Sequence, residues 1–346
     1  MRRGLERRVY WLHVGRRGGM HMSTAHDKRM IYEQLPGIGG GGDTLIYSVY
    51  HAPRGRLRMY ALASKLAERY LYPTDLLIGV IGAEGGGKSI LIRGLFSGLE
   101  LTNDDRSINH TPSRLYSFDP ADCFSGHTFH VDIRYELAFK QRWQIAEAIH
   151  RAVSHGRRVV VEHFDLIHEA LTCNAQVLFG IGEEVIVARP TVFGPFPGAI
   201  KKVVDRTIKY RLMAHTAEDL TGYVLEHDYH YKKRLLHSDV KHGFVINFPE
   251  HEKPEFDVAE LEAKVNELIR CDLPVEIAGE DLMRIGEGLI YCTGTRTHVK
   301  STGRIENFRL LHELRYNPIS HEYLLIGVVG KREGHAGFEE LTEAVL

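Results

Sequence analysis

Residues 82–89 read Gly-Ala-Glu-Gly-Gly-Gly-Lys-Ser, which fits the spacing G-x-x-x-x-G-K-[ST] and suits the binding of a phosphate chain. Bare glycines at Gly82, Gly85, Gly86 and Gly87 let backbone N–H groups turn inward around phosphate oxygens. Lys88 would reach the β- and γ-phosphates, and the Ser89 hydroxyl would hold Mg²⁺. Such a cation needs a carboxylate at a nearby strand end. Two are available: Asp132 in Phe-His-Val-Asp-Ile and Glu162 in Val-Val-Val-Glu-His. Glu162 fits better, because three valines precede it and it closes its apolar run. Lys88 and Glu162 are therefore the expected catalytic pair, with ATP or GTP and Mg²⁺ as the expected cofactor. No base-reading motif separates adenine from guanine.

These residues need elements to hold them, and the pattern supplies them. The run before the glycines, Leu-Leu-Ile-Gly-Val-Ile-Gly, is short and continuously apolar, as a buried parallel strand is. A strand is expected over 44–50 and an amphipathic helix over 57–70, then a helix over 89–99. Strand 129–133, helix 136–154 and strands 158–164 and 183–189 follow. Strand and helix in alternation predict an α/β domain with a parallel sheet over 44–189. The stretch Pro-Thr-Val-Phe-Gly-Pro-Phe-Pro-Gly breaks the alternation, and a linker is read at 190–198. Beyond it, 200–231 lacks proline and reads as one or two helices. Asp257, with Glu260 three residues on, reads as the capping box of another helix with an apolar stripe of Leu261, Val265, Leu268 and Ile269. Short strands follow, so 199–346 reads as α+β.

Composition narrows the partners. Forty-four Lys and Arg against 45 Asp and Glu leave a net charge of −1, which excludes a uniformly basic nucleic-acid binder. No apolar run approaches the ~20 residues that span a bilayer, so no membrane partner is expected. The four cysteines, Cys123, Cys173, Cys271 and Cys292, form no CxxC pair, which suits a reducing, cytoplasmic setting. Residues 1–43 combine an arginine-rich start with a glycine run. They read as an extension that could touch RNA or serve only as a tail. Histidine is abundant at 21 of 346, and six lie from His215 to His251.

Two resemblances add to this reading. Ser-Phe-Asp-Pro-Ala-Asp-Cys-Phe at 117–124 resembles the nucleoside-site region of uridine kinases over those eight residues. More extensively, Ala-His-Thr-Ala-Glu-Asp-Leu at 214–220, the helix and strand at 261–277, and Cys-Thr-Gly-Thr-Arg-Thr-His-Val-Lys-Ser-Thr-Gly-Arg-Ile onward from 292 resemble the second additional domain of alanyl-tRNA synthetases. The likeness includes the free-standing relatives that edit mischarged tRNA. It implies a Zn²⁺ site made by an HxxxH pair and a CxxxH pair, and hydrolysis of the ester between a wrong amino acid and tRNA. Transferred by residue, His215 matches the first histidine and His298 the last, while Asp219 stands at the second histidine's place. The cysteine's place is Gly294, and Cys292 lies two residues earlier.

Three functions follow as expectations. One is a nucleotide-binding protein joined to a metal-dependent aminoacyl-tRNA hydrolase. Another is a kinase with an RNA- or substrate-binding module. The third is a nucleotide-switched RNA binder without turnover. Near-neutral net charge means that tRNA contact would require a local basic patch. The segment 201–211, Lys-Lys-Val-Val-Asp-Arg-Thr-Ile-Lys-Tyr-Arg, is its best candidate.

Overall fold

A computed structural model describes residues 47–102, 113–119, 126–231 and 236–330, all within one compact unit that begins at Leu45. Residues 1–46 and 120–125, which include Cys123, lie outside the described residues. The chain runs β1 (Tyr47–His51), α1 (Arg56–Tyr70), β2 (Leu77–Gly82), α2 (Lys88–Leu95), β3 (Thr128–Asp132), α3 (Ile133–Glu136), α4 (Arg142–Ser154), β4 (Arg158–Glu162), α5 (His168–Leu171), β5 (Val177–Ile181) and β6 (Glu184–Ala188). Then come α6 (Pro197–His227), β7 (Leu236–Val240), β8 (Gly243–Pro249), α7 (Val258–Arg270), β9 (Val275–Gly279), β10 (Leu282–Ile285), β11 (Gly288–Tyr291), β12 (Arg309–Leu310), β13 (Arg315–Asn317) and β14 (Glu322–Val328).

The first sheet has the order β1-β6-β5-β2-β4-β3. β3, β4, β2 and β5 run parallel, whereas β6 is antiparallel to β5 and β1 is antiparallel to β6. The expected purely parallel sheet is thus mixed. β5 is not among the expected strands, and the two-residue turn between β5 and β6 closes a hairpin that cannot return a parallel strand. All six residues of β2 are buried. Its Leu77 and Ile81 face a core with α4 and the start of α6, while Ile78 and Val80 face α1 and α2. This gives helices on both faces of the sheet. The expected helix over 89–99 stops at Leu95, and the one over 136–154 divides into α3 and α4.

The 31 residues of α6 form a single helix about 46 Å long. Its first half packs Ile200 and Val204 on the first sheet, where Gly180 and Gly182 leave room for close approach. Its second half buries Met213, Ala214, Ala217, Leu220, Val224 and Leu225 against Phe244, Ile246, Phe248, Leu261 and Val265. That second core lies beneath the antiparallel sheet β12-β14-β8-β7, with β13 also paired to β14. Residues Met213, Ala214, His215, Thr216, Ala217 and Glu218 are buried in succession, so the helix is enclosed on all sides there. A three-stranded sheet, β11-β10-β9, completes this part of the chain. Asp257 caps α7 through the Ala259 amide; no reciprocal bond from Glu260 forms, so the expected capping box is a single cap.

One arginine joins these parts. Arg54, between β1 and α1, reaches Glu218 of α6 at 2.9 Å, Asp239 of β7 at 2.9 Å and the Gly243 carbonyl of β8 at 2.9 Å. All three side chains are almost fully buried, so removing one partner leaves uncompensated charge. Arg54→Ala is expected to lower the unfolding free energy by about 3–5 kcal/mol in chemical denaturation.

Candidate functional site

The glycine segment leaves the end of β2 and opens α2, at the point where the chain leaves β2 and β5 in opposite directions across the sheet. Ligands of open α/β sheets bind at such a point. Gly85 has φ +73° and Gly87, the residue capping α2, has φ +91°. Side-chain-bearing residues rarely adopt these angles, which is why the sequence needs glycine at both positions. Lys88 and Ser89 are the first residues of α2, so their amides have no partner within the helix and carry its positive end. The Lys88 ammonium is buried, donates to the Ala83 carbonyl at 3.0 Å and lies 3.5 Å from Glu162.

Strand register delivers the acids. Glu162 pairs with Val80 on β2 and with Asp132 on β3, so both carboxylates stand at the C-terminal ends of neighbouring parallel strands. Asp132, Glu162 and His163 each place one ligand atom within 4.8 Å of the others. Asp132 is held by the amides of Arg134 and Tyr135, which it caps at 2.9 and 3.3 Å. Thr102 donates its amide to Nδ1 of the buried His130, which puts the ring proton on Nε2, 3.4 Å from Glu162. Burial alone would raise the Glu162 carboxyl, but the His130 hydrogen bond and the Lys88 charge hold it down at about 2. So acidic a carboxylate is a poor proton acceptor and a good partner for a cation. His163 is kept below its usual value by burial and by Lys88, hence neutral.

A second cluster forms below, where α6 meets the loop after β11. His215, Asp219, Cys292 and His298 bring one ligand atom each within 4.8 Å of one another. His215 donates Nδ1–H to the Thr297 carbonyl at 3.0 Å, and His298 turns Nδ1 to the Thr295 carbonyl at 3.3 Å. Both imidazoles are thereby oriented with Nε2 toward the cluster, as metal-binding histidines are. The Cys292 sulfur lies 3.3 Å from Nε2 of His215 and 3.8 Å from Nε2 of His298, and Asp219 Oδ2 is 2.9 Å from Nε2 of His298. Around tetrahedral zinc, N and S neighbours stand about 3.6 Å apart and N and O about 3.4 Å. The donor types suit zinc, and the two Cys292 distances lie within about 0.3 Å of that spacing, whereas Asp219 and His298 stand closer, at hydrogen-bond distance. Burial, followed by Asp219, pushes the Cys292 thiol far up, and a bound cation would reverse that. Burial, followed by His298, holds His215 well below its ordinary value, so it is neutral as a ligand must be.

Position 294 admits only glycine for a steric reason. A Cβ on Gly294 would stand 2.5 Å from the Arg54 carbonyl and 2.7 Å from His215, so no side chain fits there. Cys292 reaches the cluster from two residues earlier, and the Gly294 amide donates to its sulfur at 3.3 Å.

His130, His163, Arg54 and the backbone carbonyls of Thr295 and Thr297 are not among the expected site residues; a histidine directly after Glu162, another two residues before Asp132, and threonines flanking Arg296 are the signs the sequence carries. Ser89 is half-buried beside Lys88. Of the expected basic patch, Lys201 pairs with Asp205 at 2.6 Å and Arg211 is buried, so the patch is smaller than its sequence suggests. His237 and His242 are engaged by Glu218 and Glu183 at 2.8 and 3.2 Å. Among the described residues no helix is long and apolar enough to cross a membrane. Comparison with protein-family models and with curated proteins finds no match.

Any zinc held by the second cluster should be lost on replacing Cys292 with alanine, read as zinc per protein for parent and variant by elemental analysis, with circular dichroism confirming that the chain still folds. Because Glu162 is more acidic folded than its ordinary 4.5, its contribution to stability is complete above that value and lost as pH falls toward about 2. The stability gap between the parent and Glu162→Gln should therefore narrow between pH 5 and pH 3 in urea titrations.

Proposed function

We propose that the protein binds ATP or GTP with Mg²⁺ in the Gly82–Ser89 loop and acts on the γ-phosphate, by hydrolysis or by transfer to a small hydroxyl. The observation that carries this reading is the convergence of Lys88, Asp132, Glu162 and His163 beside a glycine turn that opens a helix. Loop amides and the end of α2 would bind phosphate oxygens. Lys88 would release the Ala83 carbonyl for the β- and γ-phosphates, while Ser89, Asp132 and Glu162 would hold the Mg²⁺ that neutralises developing charge. Glu162 serves as a charged anchor, since its acidity unfits it for proton removal.

The C-terminal cluster supports a zinc ion held by His215, Asp219, Cys292 and His298. Four protein ligands fill a tetrahedral set, which is the pattern of structural rather than catalytic zinc. This favours nucleotide chemistry as the activity, with the C-terminal part as a metal-braced module for RNA or substrate. A second reading, hydrolysis of mischarged aminoacyl-tRNA, draws on the same four residues. It requires Asp219, the most exposed ligand, to cede its place to water; zinc would then supply a water of lowered pKa.

Titration with MgATP and MgGTP tests the main reading. Lys88→Ala should weaken binding roughly 10–100-fold through loss of a charge-assisted bond. Labelled γ-phosphate appearing on a nucleoside identifies a kinase, and free phosphate alone identifies an NTPase. Absence of binding to either nucleotide overturns the proposal. Chelator-sensitive deacylation of mischarged tRNA would instead establish the hydrolase.

A further inference from the structure

The two clusters touch through backbone and through one buried cation. A Cβ placed on Gly85 would lie 2.6 Å from the carbonyl oxygen of Arg296, so the phosphate loop rests directly on the loop that carries Cys292 and His298. Arg296 stands between Thr295 and Thr297, whose carbonyls orient the two histidines. On the other side, the Arg211 guanidinium of α6 lies 3.8 Å from the Cβ position of Gly87. Arg211 is 3% exposed; its Nη groups reach the Pro53 carbonyl at 2.7 Å and the Gly182 carbonyl at 3.4 Å, and its Nε has no partner. Other charged groups of this region pair among themselves: Arg54 with Glu218 and Asp239, Arg58 with Asp239, His237 with Glu218 and His242 with Glu183. Arg211 is thus a buried positive charge whose hydrogen bonds go to carbonyls, with Asp239 and Glu183 as its nearby acids, one helical turn before His215 and directly behind a loop suited to an anion.

We propose that Arg211 is a positioning residue for the phosphate loop and that, with the Arg296 backbone, it links triphosphate binding to metal binding. This rests on the reading of both sites given above. An ion that fixes His215 and the 292–298 loop also fixes the Arg296 carbonyl against Gly85 and Arg211 against Gly87. The phosphate loop is then preorganised, and an anion within it offsets the cost of burying the guanidinium. Linkage is reciprocal, so nucleotide must tighten metal binding by the same factor that metal tightens nucleotide binding.

The test uses the full chain, loaded with Zn²⁺ or stripped with a chelator and dialysed. MgATP and MgGTP affinities are measured on both forms, and Zn²⁺ affinity is measured against a competing chelator with and without saturating nucleotide. Matching factors of about 5 or more in both directions are expected. Arg211→Met should weaken nucleotide binding in the loaded form and shrink the factor, whereas Arg296→Ala, which keeps the carbonyl, should leave the factor intact. If wild-type protein binds both ligands and neither alters the other, the inference fails while both site readings stand. If nucleotide binds neither form, or zinc does not bind at all, the corresponding site reading fails and the inference falls with it. The wild-type measurements decide the matter even if Arg211→Met does not fold.

Discussion

A straight helix cannot change the spacing of its own residues, and α6 imposes that constraint on everything around it. Arg211, His215 and Asp219 follow one another along one face at one-turn intervals. Two sheets and two cores take their positions from the same rod, the first on Ile200 and Val204 and the second on Met213 through Leu225. Because the helix is enclosed where it passes from one to the other, it has no free face along which to slide. The glycine loop and the cluster of His215, Asp219, Cys292 and His298 therefore sit in one frame.

Enclosure has an electrostatic cost that the fold meets locally. Arg54, Glu218, Asp239, Glu183, Arg211 and His215 crowd a region with almost no solvent, and the partly exposed His237 stands at its edge. Most are paired at hydrogen-bond distance, and their number reflects how many elements must be joined there: the β1–α1 segment, the β5–β6 turn, α6, β7 and β8. Such pairs are weak contributors to net stability but strict about geometry, since a shifted element leaves a charge unmatched.

How much of this was legible in the residues differs by kind. The glycine loop was, because positive φ angles at Gly85 and Gly87 demand that residue type and because spacing within a turn is local. The C-terminal cluster was singled out only through resemblance, since residues 77 positions apart, His215 and Cys292, meet by tertiary packing. The mixed sheet was not. β5 carries a glycine at Gly180 that interrupts its apolar run, and that glycine exists to admit Ile200 of a helix distant in sequence. Arg211 misled for a related reason. A lysine- and arginine-rich segment reads as a solvated face, and only the tertiary contacts to the Pro53 and Gly182 carbonyls show that this arginine points inward.

The ligand side chains differ in their exposure: Asp219 is 12% exposed, His298 3%, and His215 and Cys292 are buried. An ion placed among these four groups would meet solvent chiefly at Asp219, an acid on a helix whose neighbouring residues are buried.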